Sequence, residues 1–288
     1  MKQIVLLFIM FVTFNIVAQD KAAYIIYTKA GKKTSYSKMI KSMENKKAIF
    51  FGELHDNPIA HWLELEVLKV LYEKHAENLV CGSEMFESDN QKAVTDYVFG
   101  KLDEKQFKDS CRLWSNFETD YKPMLDFAKM QQKPIPWIAT NIPRRYASMV
   151  YKKGLSSLDS LSFKEKSWIC PLPYTVDTTL SQYAALTEGE MHMGKTFVFS
   201  QAIKDATMAY FISQNMKENS VFYHINGSYH SDFHQSILWY LNYYSKLEYS
   251  KMLTISTVTQ ENIDKLDEEY LGKADFIICV PEAMTRTQ

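Results

Sequence analysis

The stretch Ala48-Ile49-Phe50-Phe51-Gly52-Glu53-Leu54-His55-Asp56-Asn57-Pro58 decides the fold. Its first four residues form a short, bounded apolar run, the pattern of a strand buried on both faces. Asn57 reads as a helix N-cap and Pro58 suits the first helical position. Ile59, Leu63, Val67, Val70 and Leu71 then recur at helical spacing. Three more runs repeat the theme of an apolar strand ending in polar residues. Leu79-Val80-Cys81 leads to Ser83-Glu84, Pro136-Trp137-Ile138-Ala139 leads to Asn141, and Val221-Phe222-Tyr223-His224-Ile225 leads to Asn226-Gly227-Ser228-Tyr229-His230. In an open parallel sheet, ligands bind beyond the carboxyl ends of the strands. These ends would gather Glu53, His55, Glu84, Asn141, Asn226 and His230 along one rim.

Strands and helices alternate through most of the 288 residues. Tyr24–Tyr27 reads as an edge strand and Tyr36–Met43 as a helix. Further helices are expected at Gln91–Phe99, Glu104–Cys111, Met124–Gln131 and, as one long helix, Phe199–Lys217. The last strands, Met252–Ile255 and Phe276–Val280, alternate with helices at Asp232–Tyr243 and Glu261–Tyr270. Residues 143–195 break this rhythm, with Pro143, Pro171 and Pro173 among Gly154, Gly189 and Gly194. The expectation is an α/β fold: a mostly parallel sheet with helices on both faces, formed by 20–142 and 196–288, and an inserted, mainly helical subdomain at 143–195.

Hydrophobic residues at 46% and charged residues at 23% are ordinary for a globular protein with a sizeable core. A formal net charge of −1 gives no electrostatic case for nucleic acid. Aromatics at 14%, with 14 Met, can line a flat apolar ligand's pocket and can equally fill core. Lys2, the apolar run Ile4–Val12 and small Ala18 before Gln19 form a signal-peptide pattern over residues 1–18. This predicts an exported protein, periplasmic or outer-membrane associated, with no lipoprotein cysteine in the signal. Cys81 and Cys279 lie in apparent buried strands, and Cys111 with Cys170 forms a candidate bridge. No CxxC, HExxH, GxSxG or glycine-rich phosphate loop occurs.

Glu53 and His55 are two apart and point the same way in an extended strand. A carboxylate beside an imidazole can raise its basicity, or both can ligate a divalent metal. Glu84 on the neighbouring strand adds a second carboxylate, and His230 a second imidazole. The candidate catalytic set is Glu53, His55, Glu84 and His230, and the candidate metal ligands are Glu53, His55 and His230. Taken singly, each has a plainer reading: a carboxylate capping a helix, a hydrogen-bonded loop histidine. Recurrence at several strand ends favours a site for these four, whereas His61 reads as a surface histidine and His224 as a structural one.

Together the motifs resemble the ChaN-like haem-binding uptake family. They run Gly52-Glu53-Leu54-His55-Asp56-Asn57-Pro58…His61, then Ser83-Glu84-Met85-Phe86-Glu87…Gln91, then Tyr121-Lys122-Pro123-Met124-Leu125. Thr140-Asn141-Ile142-Pro143-Arg144, Gln201…Asp205-Ala206…Met208-Ala209 and Asn226-Gly227-Ser228-Tyr229-His230 follow in family order. The wider group includes erythromycin-esterase-like and Tiki/TraB proteins. The resemblance places His61, Asn141, Arg144, Asp205 and Asn226 on motif positions. Trp62 stands where relatives often carry a second histidine. The resemblance implies an exported haem binder in iron uptake, a tyrosine iron ligand in the inserted segment, a homodimer and an outer-membrane haem receptor as partner. Candidate iron ligands in that segment are Tyr174, Tyr183 and His192. The alternative is a hydrolase using the rim, with or without a divalent metal.

Overall fold

The computed structural model describes residues 21–188 and 194–287; residues 1–18, which carry the expected signal peptide, and His192 lie outside them. In chain order the strands and α-helices are β1 (Ile25–Thr28), β2 (Lys33–Thr34), α1 (Tyr36–Ser42), β3 (Ala48–Glu53), α2 (Pro58–His75), β4 (Leu79–Glu87), α3 (Gln91–Val98), α4 (Glu104–Ser110) and α5 (Lys122–Met130). The second half adds β5 (Trp137–Asn141), α6 (Arg144–Lys153), α7 (Phe163–Lys166), α8 (Ser181–Glu188), α9 (Lys195–Asn215), β6 (Val221–Gly227), α10 (Ile237–Ser245), β7 (Met252–Gln260) and β8 (Phe276–Pro281).

The strands form one eight-stranded sheet in the order β2-β1-β8-β7-β3-β6-β4-β5. From β8 to β5 every pairing is parallel. β1 joins β8 antiparallel, and β2 pairs outside it, so the Tyr24–Tyr27 segment is not the edge strand expected. After β3 the chain steps out to β4 and β5, returns to fill the gap with β6, then crosses β3 to reach β7. The winding direction reverses between β3 and β6, and such a switch point leaves a crevice beyond the strand ends.

Alternation along β3 divides the core in two. Ile49 and Phe51 pack with Leu63, Val67, Leu71 and Leu125 from α2 and α5. Ala48 and Phe50 pack with Val150, Val198, Ile203 and Leu241 from α6, α9 and α10. The α2 start forms as expected: the Asn57 side chain accepts from the amides of Ile59 and Ala60, both at 3.1 Å. The described part of 143–195 carries α6, α7 and α8 with irregular chain at 167–180, and its Tyr146, Val150, Leu158, Ile169 and Tyr183 share the second core with sheet residues Phe50 and Phe222.

Three expectations are corrected. No helix forms at 261–270 beyond a single turn of 3-10 helix at Glu268–Tyr270. There Gln260 binds the carbonyl of Lys265 and accepts from the amide of Asp267, and Asn262 accepts from the amide of Asp264. Such side-chain bonds compete with the helix's own. The helix expected from Asp232 begins only at Ile237, because Phe233, His234 and Ser236 adopt positive φ. All four cysteines are free. Cys111 packs against the first core and Cys170 is buried in the second, so the sheet separates the pair expected to bridge. Among the described residues no helix is long and apolar enough to cross a membrane.

Candidate functional site

The ends of β3, β4 and β6 meet at the switch point in two linked networks. The register sets Glu53 level with Gly227 and Ser83 level with Ile225. In the first network Glu53 Oε1 accepts from the Tyr121 hydroxyl at 2.7 Å and pairs with His55 Nδ1 at 2.7 Å. His61 Nδ1 lies 3.0 Å from Glu53 Oε2 and 3.2 Å from Glu64 Oε2. The Asn116 side-chain amide donates to the His55 carbonyl and to Asp120 Oδ2, each at 2.7 Å. In the second network Glu84 Oε2 accepts from the Gly227 amide at 2.8 Å, and Glu84 Oε1 faces His230 Nε2 at 3.3 Å. His230 Nδ1 donates to Asp205 Oδ1 at 2.6 Å, and the Tyr183 hydroxyl donates to Asp205 Oδ2 at 2.6 Å.

Both nitrogens of His230 face carboxylates, which makes it an imidazolium. Burial alone would lower its pKa, but the charges of Glu84 and Asp205 raise it to about 10. Burial pushes the Glu84 carboxyl up, and the charge and hydrogen bond of His230 override this and hold it well below the usual range. The same balance holds in the first network: burial opposes ionisation of Glu53, while hydrogen bonds from His55 and His61 keep it charged. Glu64 goes the other way, raised by burial and then by the charge of Glu53. His224 is buried and neutral, lowered by desolvation to about 4, between Thr140 Oγ1 at 2.8 Å and Asn226 Oδ1 at 3.0 Å.

His61, expected at the surface, is buried at the centre of the first network. Its place on the first turn of a helix that starts at the rim turns it inward. Glu64, Asp120 and Asn116 were not singled out from sequence, and Tyr121 entered only within a motif. The one local signal was the three-residue spacing of His61 and Glu64 on a helix. Asn226 holds the turn after β6, its amide donating to the Gly227 carbonyl and to Ser231 Oγ. His234 pairs with Asp275 at 3.1 Å and stands apart from His230. Among the described residues, the acids and histidines whose ligand atoms converge for a metal are Glu53, His61 and Glu64.

Two surface clefts bear on the expected site residues. One, of ≈ 210 Å³, is lined by Glu84, Trp114, Asn141, Ile142, Arg144 and Lys204. The half-exposed His55 ring packs edge-on against Trp114, with centroids 4.8 Å apart. The other, of ≈ 400 Å³, is lined by Leu155, Leu158, Leu172, Pro173 and Tyr174 together with Lys166 and Asp159. Of the expected iron ligands, Tyr174 therefore borders open space, whereas Tyr183 is sealed in the core with its hydroxyl on Asp205.

This geometry defines a class: a doubly wound α/β protein whose rim carries an acid–imidazole network at the switch point. The family model described as haem-binding uptake, Tiki superfamily, ChaN matches residues 39–241. The chain belongs to that family, as its motifs led one to expect. Among solved structures it is similar to ChaN of Campylobacter jejuni, described by its cofacial haem binding, at 16% identity over 88% of this chain and 96% of that one, with a TM-score of 0.63. It is also similar to a variant of the erythromycin esterase EreC in its open conformation, at 8% identity over 90% of this chain and 98% of that one, with a TM-score of 0.53. At these identities the likeness shows a shared fold. No curated protein matches the chain.

Proposed function

We propose that the chain is an exported haem-binding protein that serves iron or haem uptake, with haem as cargo. Membership of the haem-binding uptake family over residues 39–241 carries this reading. The rim supports binding over turnover. Glu84, His230 and Asp205 are saturated by one another, and Glu53 is taken up by His55, His61 and Tyr121. Such closure leaves those groups poorly placed to exchange protons with a substrate.

Tyr174 is the iron ligand we favour, since tyrosinate is an established haem ligand type. Leu155, Leu158, Leu172 and Pro173 offer an apolar wall for the macrocycle, and Lys166 a cation for a propionate. Burial pushes the Tyr174 phenol up, and its hydroxyl donates to the Phe199 carbonyl at 3.3 Å, so iron must displace that proton. At ≈ 400 Å³ the cleft lies near the lower end of the roughly 300–1,000 Å³ typical of ligand pockets. Part of the haem then stays outside, and a second protomer is suited to cover it. The solved Campylobacter jejuni relative, described by cofacial haem binding, fits that arrangement.

Titration of the purified protein with hemin tests the reading. We expect a saturable Soret shift, dimerisation by light scattering at saturation, and at least a tenfold loss of affinity in Tyr174→Phe. A shift no larger than that of an unrelated protein would sink it.

One observation favours a hydrolase as the second reading: His55 is half exposed, with its Nδ1 on Glu53, and packs on Trp114 at a cleft mouth. An imidazole so oriented can act as a general base. Ester hydrolysis lost in His55→Ala with the hemin titration unaltered would establish it.

A further inference from the structure

Glu53 at the end of β3, with His61 and Glu64 at the start of α2, brings one imidazole and two carboxylates together, their ligand-type atoms all within 4.8 Å of one another. The three residues are 3%, 5% and 0% exposed, so the space between them is shut off from bulk water. The Nε2 of His61 faces atoms that only accept: the His55 carbonyl at 3.2 Å and Asp120 Oδ2 at 3.4 Å. Nε2 therefore carries a hydrogen, and Nδ1 is the atom turned to the two carboxylates. Glu64 Oε1 is buried with no hydrogen-bond partner. The pocket sets two carboxyl groups against the single imidazole within it.

We propose that this pocket binds a divalent transition-metal cation through Glu53, Nδ1 of His61 and Glu64. One nitrogen and two carboxylate oxygens suit Zn²⁺ or Mn²⁺. Bonds of about 2.0–2.2 Å set neighbouring ligand atoms roughly 3.0–3.4 Å apart. The spacings from Nδ1 to Glu53 Oε2 and Glu64 Oε2, 3.0 and 3.2 Å, meet that requirement. The outer partners are those that orient metal ligands. Nε2–H points at a backbone carbonyl, and the Tyr121 hydroxyl fixes the other oxygen of Glu53. A cleft of ≈ 290 Å³ bordered by Pro58, Trp62, Asp120, Pro123 and Thr287 reaches the His61 ring and supplies an entry path. The site uses His61 and Glu64, which the haem reading does not, and stands without it.

The full-length protein, stripped with a chelator and free of haem, is titrated by calorimetry with Zn²⁺ and separately with Mn²⁺. We expect one equivalent of at least one of them to bind. His61→Gln and Glu64→Gln should each weaken binding by more than about 100-fold, the most that loss of an outer partner alone costs. His75→Gln, a histidine outside the pocket, should retain binding. Failure of the wild-type protein to bind either cation overturns the proposal, as does unaltered affinity in both pocket variants. A metal-free wild type whose Glu64→Gln variant melts at a higher temperature would assign the space to a proton shared by the two carboxyls, and also overturns it.

Discussion

His224 shows how one buried side chain ties stability to pH. Folding strips it of water between Thr140 and Asn226, so its folded pKa falls to about 4 from the ordinary 6.5. Between those values the unfolded chain binds the proton and the folded chain does not. Stability is therefore full above pH 6.5, falls as pH drops, and levels off near 4. The shift corresponds to roughly 3 kcal/mol at its limit. Urea unfolding across pH 7.5 to 4 should show wild type losing up to about that much more than His224→Gln; parallel losses would refute the assignment. Legibility also varied at this scale. His224 and His61 are both isolated histidines in sequence, and both read as plain. Only His224 is, because His61 faces carboxylates that come from other elements: Glu53 on a strand and Asp120 from beyond α4.

At the scale of elements, the rim exists because β3 and β6 pack closely, and two glycines permit it. A Cβ on Gly52 would lie 2.8 Å from the Ser228 Cα and 3.0 Å from the Ile255 carbonyl oxygen, both backbone atoms. A Cβ on Gly227 would instead lie 2.9 Å from the His55 ring, the end of a half-exposed side chain that can swing aside. Overpacking costs typically about 1–3 kcal/mol. Gly52→Ala should fall at or above the top of that range and Gly227→Ala near the bottom, and equilibrium unfolding ranks them. The reverse order would show that β6, not His55, yields. The strands were readable because short apolar runs ending in polar residues fit few other structures. The 261–270 segment was misread because its polar residues bond to the local backbone, which periodicity does not register.

For the whole molecule, the proposed export rests on the reading of residues 1–18 as a signal peptide. The mature chain recovered from its host should begin at Gln19 and, having lost Lys2, carry one fewer positive charge; mass spectrometry of the secreted protein checks both. An intact Met1 on protein outside the cytoplasm would contradict cleavage. The sequence by itself determined the α/β class, the strands that bear the rim, the α2 start and the family, because these rest on local periodicity, caps and ordered motifs. Tertiary structure alone decided which rim residues pair with which. Strand order interposes β6 between β3 and β4, and so divides the acids and imidazoles into a Glu53–His61–Glu64 group and a Glu84–His230–Asp205 group. It also sealed Tyr183 in the core, left Tyr174 at a cleft, and placed Cys111 and Cys170 across the sheet from each other. Those outcomes depend on contacts between residues far apart in the chain, and no local pattern encodes them.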